Sequence, residues 1–181
     1  MYEREEGNTV SGLLRNLIAF LIGLFFYGRK AVQDVTEVRF LITPLDTGLR
    51  RLKSDKYLQL AETAQVDYLL QTGRFFSVLH ARASFVNVAQ LVRFVRPVPV
   101  FSRVRVATRL LHADDKCAYF CHTLHSQGHV AAEVLVKMKF KQGRMTVPPR
   151  IFLPADFNVA PAEVRALDAA LSSGPCDMAG T

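Results

Sequence analysis

Regular alternation of apolar and polar residues from about residue 84 to residue 148 is the feature that most limits how this chain can fold. A period of two residues is typical of β-strands with one buried face. Short turn sequences interrupt the alternation, whereas parallel neighbours would need crossovers of about a dozen residues or more. The pattern therefore predicts antiparallel strands joined by hairpins. Their predicted bounds are residues 84–95, 98–112, 117–126, 129–141 and 144–147.

One strand and one long helix precede this sheet region. Val38, Phe40 and Ile42 recur at every second position, which predicts a strand with one well-buried face. Helical spacing of apolar residues then predicts a helix of about five turns, with Ser54 as its N-cap and Gly73 as its C-terminal cap. A strand, a helix and four or five antiparallel strands leave one obvious packing, in which a curved sheet wraps the single helix.

The two faces of the predicted sheet differ in character. Hydrophobic residues make up 50% of the chain, which is enough for one ordinary core. Val104 and Val106 belong to the predicted core face. The opposite face is predicted to be basic and solvated, and it carries Arg103, Arg105, Lys137 and Lys139.

The sequence divides into three parts. Residues 1–34 are predicted to form an N-terminal apolar or amphipathic helical segment, and residues 35–150 the sheet-and-helix domain. Residues 151–181 are predicted to form a C-terminal helix followed by a disordered tail.

The N-terminal segment bears on membrane contact. Its unbroken apolar stretch, residues 17–27, is shorter than the roughly 20 residues that span a bilayer as a helix. Basic residues at both ends of residues 10–27 would allow that helix to lie in a membrane interface. The alternative is that it packs on the domain or on a second subunit.

Charge and cysteine content limit the partners. The net charge of +7 suits an anionic partner, but the basic residues form no run of five and no zinc-finger or helix-turn-helix spacing, so nucleic acid is not expected. Three cysteines without a CxxC pair favour a reducing, cytoplasmic compartment over a disulfide or zinc framework. His122 and His125 differ by three positions on one predicted strand, so they face opposite ways and form no shared metal site.

The passages TPLDTGLRRLKSDKYLQLAETAQVDYLLQTG, LVRFVRPVPVFSRVRVATRL and FCHTLHSQGHVAAEVLVKMKF resemble the hotdog-fold acyl-CoA thioesterase superfamily, the 4-hydroxybenzoyl-CoA thioesterase type. The resemblance covers residues 35–147. It implies an α+β hotdog fold and hydrolysis of a thioester of coenzyme A or of an acyl carrier, without a metal or redox cofactor. It also implies a homodimer or homotetramer with sites between paired subunits. Many relatives have a histidine and asparagines where this chain has LRRLKSDKY, so the motif is degenerate.

The resemblance also assigns the first candidate site residues. Asp46 and Tyr57 look like the aspartate that follows the first strand in that family and the tyrosine early in its central helix. Thioester hydrolysis needs a carboxylate together with donors for the developing oxyanion, and free amides at a helix start supply such donors. Asp46 is the candidate carboxylate, and the amides from Ser54 through Asp55 to Tyr57 are the candidate donors. An aspartate in this position is also ordinary turn chemistry.

Other candidate site residues have competing interpretations. Glu62 and Asp67 are alternative catalytic carboxylates on the helix, or else solvated charges. The basic residues of the helix-start segment suit the phosphates of coenzyme A, with the basic sheet face as a second choice. The aromatic residues after the helix would line an acyl tunnel or belong to the core. The basic residues are Arg50, Arg51 and Lys53, and the aromatic residues are Phe75 and Phe76.

The sequence therefore predicts an acyl-CoA thioesterase. Two alternatives remain open: a protein that binds acyl-CoA or a fatty acyl chain without hydrolysing it, and a membrane-interface scaffold in which residues 10–27 carry the function.

Overall fold

The computed structural model of the chain describes residues 30–48, 50–155 and 159–172. The predicted N-terminal helix and most of the predicted tail lie outside these residues. Within them, no helix is long and apolar enough to cross a membrane. The elements in chain order are β1 (Thr36–Leu41), a 3-10 turn (Pro44–Asp46), α1 (Ser54–Gln71), α2 (Phe75–His80), β2 (Ser84–Phe94), β3 (Arg103–Ala113), β4 (Ala118–Ser126), β5 (His129–Gln142), β6 (Met145–Val147), a second 3-10 turn (Pro149–Ile151) and α3 (Ala162–Ser172).

The strands form one antiparallel sheet in the order β1-β3-β4-β5-β2, with β6 beside β5. The sheet curls around α1, which confirms the predicted arrangement. Inward-facing side chains of neighbouring strands lie opposite one another, as Phe40 does to Val104 and Leu124 to Ala132. They form a single continuous core with the buried face of α1.

The prediction that the first and second strands of the sheet region, residues 84–95 and 98–112, form a hairpin is wrong. β2 pairs with β5, at the side of the sheet opposite β1. Residues 95–102 connect β2 to β3 across the start of α1, where the Leu52 amide donates to the Val98 carbonyl at 2.9 Å. Pro97 and Pro99 lack amide donors, which keeps this connection out of the sheet, so β3 begins at Arg103 instead of residue 98.

The central helix α1 ends as predicted but begins one residue differently. Gly73 adopts a φ of 68° beyond the C-terminus. Its amide donates to the Leu70 carbonyl at 2.9 Å, and the next amide donates to Leu69 at 2.8 Å, which is the Schellman motif. The prediction of Ser54 as the N-cap is wrong, because Lys53 occupies that position and Ser54 is the first helical residue.

The outer face of the sheet is covered in part by α3, a feature that the predicted solvated basic face does not anticipate. Val164 and Leu167 of α3 bury Cys117, Tyr119 and Leu135 of the outer face. The predicted C-terminal helix is therefore confirmed, and it packs on the domain.

One carboxylate fastens α3 to the sheet. Asp168 accepts hydrogen bonds from Lys137 Nζ and from the Tyr119 hydroxyl, both at 2.7 Å. Partial burial alone would raise the pKa of Asp168, but these two hydrogen bonds outweigh it and hold the pKa below its usual value. The ionised form of Asp168 thus stabilises the attachment of α3.

We expect Asp168→Asn to loosen α3. The change weakens the charged hydrogen bonds to Lys137 and Tyr119, and partial exposure of Asp168 limits the loss to about 1 kcal/mol in the free energy of unfolding. Urea unfolding and the rate of proteolytic cleavage within α3 are the measurements. Glu163→Gln, an exposed acid-to-amide change on the same helix, is the control. Equal cleavage rates for both variants would contradict this role.

Candidate functional site

The turn that follows β1 holds the first candidate carboxylate. Asp46 is 4% exposed and ends the 3-10 turn. Its Oδ2 accepts hydrogen bonds from the Thr43 amide at 3.0 Å and from the Thr43 hydroxyl at 2.8 Å. The carboxylate therefore has a fixed orientation, and part of its hydrogen-bonding capacity serves the turn itself.

This turn is tied to the start of α1. The Lys53 amide donates to the Asp46 carbonyl at 3.1 Å, and Thr47 pairs with Leu52 in an isolated antiparallel bridge. Asp46 and the first turn of α1 are thus neighbours, as the sequence predicts. Lys53 makes no side-chain cap for the helix and carries no acceptor to make one. The Lys56 amide donates to the Lys53 carbonyl at 3.0 Å, so the Ser54 and Asp55 amides are those at the described helix start that remain for another oxygen.

Tyr57 lies on the inner side of this helix start. It is 4% exposed, and its ring meets Phe94 edge-on with centroids 5.1 Å apart. Burial raises the pKa of Tyr57, and a hydrogen bond with the Val98 backbone lowers it by a smaller amount. The phenol is neutral at physiological pH and fills the space between α1 and residues 95–102.

The polar residues around this point are open to solvent. Arg50 and Arg51 lie on the loop before α1 and are anchored through their backbones: the Val100 amide donates to Arg50 at 3.1 Å, and Arg51 pairs with Pro99. Their side chains are exposed, as are those of Lys53, Ser54 and Asp55. Three cationic side chains are thus exposed on the short segment between the Asp46 turn and α1, with Asp55 as a partial counter-charge.

Glu62 occupies a different position. It is exposed on α1, about 12 Å along the helix from Ser54. Its carboxylate accepts long hydrogen bonds from Asn87 Nδ2 at 3.5 Å and Gln90 Nε2 at 3.3 Å. Both amides belong to β2, the edge strand of the described sheet opposite β1. Glu62 therefore faces that edge and not the Asp46 turn.

The remaining predicted residues are not brought to Asp46. Asp67 is 1% exposed, accepts a 2.6 Å hydrogen bond from Gln71 and lies about 20 Å along α1 from Ser54. Phe75 packs against the core, whereas Phe76 is 44% exposed, and both follow the far end of α1. Within one chain these aromatic side chains do not line a tunnel that starts at Asp46.

Sequence reasoning missed Lys56, which lies in the first turn of α1. Its side chain is fully buried, and its Nζ donates to Gln59 Oε1 at 3.0 Å. One turn further, the Thr63 hydroxyl donates to the Gln59 carbonyl at 2.8 Å. The polar residues at positions 56, 59, 63 and 67 recur at helical spacing, and this was the signal that α1 also has a polar side within the protein.

His122 is the buried histidine of the sheet. As predicted, it faces the opposite way from His125: His122 is fully buried on the inner face, and His125 is partly exposed on the outer face. Its Nδ1 lies 3.0 Å from the Thr108 hydroxyl, and its ring stacks on Phe120. Burial lowers its pKa to about 3. No group of three metal-ligating side chains occurs among the described residues.

Comparison with known proteins places the chain among thioesterase-like proteins. The family model described as the thioesterase-like superfamily matches residues 49–158. Protein THEM6 of Drosophila melanogaster is 27% identical over 112 residues, which are 61% of this chain and 58% of that relative's length. A probable thioesterase from Bartonella henselae superimposes with a TM-score of 0.60 at 14% identity, covering 64% of this chain and 98% of that one. A hypothetical protein from Staphylococcus aureus in complex with CoA gives 0.61 at 11% identity, with coverages of 75% and 95%. These structural likenesses confirm the hotdog fold.

Proposed function

Because this chain belongs to the thioesterase-like superfamily, we propose that it hydrolyses the thioester bond of an acyl-CoA or acyl-carrier substrate. The observation that carries the proposal is the position of Asp46, a carboxylate of fixed orientation beside a helix start that has no side-chain cap. Such a pair supplies the two components that thioester hydrolysis requires. The CoA complex of the similar Staphylococcus aureus protein supports coenzyme A as the carrier.

In this proposal the acyl carbonyl lies against the first amides of α1. Asp46 either attacks the carbonyl carbon, forming an anhydride that water then cleaves, or removes a proton from the attacking water. In both routes the C–S bond breaks, the thiolate leaves and takes a proton, and the acyl group departs as a carboxylic acid. The Ser54 and Asp55 amides stabilise the oxyanion, and the positive end of the α1 dipole adds to that effect.

The exposed cations fit the polar end of coenzyme A. Arg50, Arg51 and Lys53 follow the Asp46 turn within seven residues and are accessible to solvent. Guanidinium groups bind phosphate oxygens in pairs, so these side chains suit the phosphates of the carrier. Tyr57, buried at the start of α1, would border the acyl group on the inner side.

Release of free thiol from a panel of acyl-CoAs by the purified full-length chain tests the proposal. We expect turnover for at least one acyl class and a higher KM after Arg50→Gln with Arg51→Gln. A protein that releases no thiol from any acyl-CoA or acyl-carrier protein would contradict hydrolysis.

Non-hydrolytic acyl binding is a second candidate function. It is favoured by the two hydrogen bonds that Asp46 accepts from Thr43, because they commit part of the carboxylate to the turn. An intact acyl-CoA that co-purifies with a chain that releases no thiol would support binding over hydrolysis.

We also propose that the active form is a dimer joined along β2. This strand is 11 residues long, is paired within the described chain only with β5, and exposes apolar side chains such as Val86 at 46% and Leu91 at 57%. An exposed apolar edge strand recruits another strand unless it is covered. In such a dimer Glu62, which accepts hydrogen bonds from Asn87 and Gln90 of β2, would lie near the subunit boundary.

We expect Val86→Lys with Leu91→Lys to convert the dimer to a monomer, because charges on an edge strand oppose strand pairing. Sedimentation velocity measures the change. Leu79→Lys with Met145→Lys is the control, since both residues are at least as exposed as the first pair but lie outside β2. A wild-type protein that sediments as a monomer at all concentrations would contradict the proposal.

A further inference from the structure

We propose that one end of the sheet docks on an anionic lipid bilayer and thereby presents the mouth of the Asp46 site to the membrane. The docking face consists of the C-terminal end of β1, the N-terminal end of β3 and the turns beside them. Its residues are Arg39, Leu41, Leu45, Phe101, Arg103 and Arg105. The proposal rests on the proposed function only in naming acyl-CoA as the molecule that the docked site would meet.

Three large apolar side chains project from this end. Leu41 is 57% exposed at the end of β1, Leu45 is 68% exposed in the 3-10 turn, and Phe101 is 69% exposed. Backbone hydrogen bonds hold them on a common framework, since the Phe101 amide donates to the Ile42 carbonyl at 2.8 Å and the Ile42 amide to Ser102 at 3.0 Å. Fixed, exposed apolar side chains enter a membrane interface at little cost in conformational entropy.

The backbone of Phe101 is strained. Its φ of 61° lies in the left-handed region, which asparagine and glycine adopt readily and bulky residues rarely do. Folding gains little from this phenylalanine, because the ring is exposed and the backbone conformation is unfavourable. Strain at an exposed aromatic residue indicates a role in contact with a partner.

Two of the three arginines of the docking face oppose one another across strands. Arg39 lies directly opposite Arg105 in the β1-β3 register, and His125 of β4 lies on the other side of Arg105. The like charges of Arg39 and Arg105 in such positions destabilise a sheet. A salt bridge from Glu37 to Arg105 at 2.8 Å offsets one of these charges. An anionic surface would relieve the remaining repulsion.

The mixture of these residues favours a bilayer over a protein partner. The core of a protein interface is depleted in charged residues, whereas here single apolar side chains alternate with arginines. Arginine reaches lipid phosphates while neighbouring apolar groups enter the acyl boundary. Leu45 directly precedes Asp46, so a docked face places the catalytic turn at the membrane surface. An acyl-CoA, with an apolar chain and a charged carrier, partitions to the same surface.

Vesicle flotation of the full chain tests the proposal, with phosphatidylcholine vesicles that contain or lack phosphatidylserine. We expect binding that depends on phosphatidylserine. Phe101→Asn should lower the partition coefficient by about tenfold or more. The same change should leave the thermal unfolding midpoint unchanged or higher, because asparagine fits the left-handed backbone. Arg39→Gln with Arg103→Gln should weaken binding to anionic vesicles on the order of tenfold.

Matched changes at the other end of the sheet serve as controls. Met145→Asn removes an equally exposed apolar residue, and Lys116→Gln with Arg144→Gln removes two exposed cations; neither should alter flotation. Absence of flotation, or flotation unaffected by the Phe101 and arginine changes, would overturn the proposal. So would arginine variants that lose affinity for free coenzyme A but not for vesicles. Thiol release from a water-soluble short-chain acyl-CoA is measured separately, so failure of hydrolysis and failure of docking are distinguishable.

Discussion

Asp46→Asn is expected to lower thiol release by about 10²- to 10⁴-fold while leaving the protein folded. The amide can neither attack the thioester carbon nor accept a proton from water. Its carbonyl oxygen still accepts the hydrogen bonds that the Thr43 amide and hydroxyl donate to Asp46. The free energy of unfolding should therefore change by no more than about 1 kcal/mol. Steady-state thiol release and urea unfolding of the same preparations are the measurements.

Glu62→Gln is the matched control, because it makes the same acid-to-amide change on an exposed residue at the β2 edge. We expect it to leave kcat within a factor of about two. The reverse pattern, with Glu62→Gln inactive and Asp46→Asn active, would assign the chemistry to the helix carboxylate. Asp67→Asn tests whether the other helix carboxylate is catalytic. Asp67 is buried and accepts a hydrogen bond from Gln71, so its replacement should lower the free energy of unfolding more than it lowers turnover.

The alternation of residues was sufficient to predict most of the sheet. Val104 and Val106 face the core as predicted, and the turns between β3, β4 and β5 lie where the turn sequences occur. The β2-β3 connection was mispredicted because Arg96-Pro97 has turn composition and the alternation resumes at Val98, which is the local pattern of a hairpin within residues 95–102. Only the closure of the sheet around α1 requires them to cross the start of the helix.

The candidate site was also predictable only in part, because some of its contacts are local in the sequence and others are not. Asp46 and the start of α1 are close in sequence, so local turn chemistry is enough to bring them together. Lys56 was missed because the first turn of α1 is exposed at Ser54 and Asp55 and buried at Lys56, and polarity alone does not distinguish a buried lysine from an exposed one. The cover that α3 provides depends on contact between Leu167 and a cluster that includes Tyr119 and Leu135, which are far from it in the chain. No local pattern encodes that contact.

The fully buried His122 should make the protein sensitive to acid. Its pKa is lowered to about 3 in the folded protein because the inner face excludes water. In the unfolded chain a histidine has a pKa of about 6.5. Between these values the unfolded state binds a proton that the folded state does not, so stability is complete above about pH 6.5 and falls as the pH is lowered towards 3.

Each pH unit in this window costs about 1.4 kcal/mol, so acidification from pH 6.5 to 5 should remove roughly 2 kcal/mol through His122 alone. His122→Gln does not titrate, and we expect its free energy of unfolding to differ from that of the wild type by an amount that shrinks over this interval. Urea unfolding at a series of pH values measures the difference. His125→Gln changes a histidine on the outer face of the same strand. This variant should keep the wild-type dependence of the free energy of unfolding on pH. The contradicting outcome is a His122→Gln variant whose free energy of unfolding depends on pH as the wild type's does. In that case other groups cause the acid sensitivity, and His122 accepts a proton without unfolding the core.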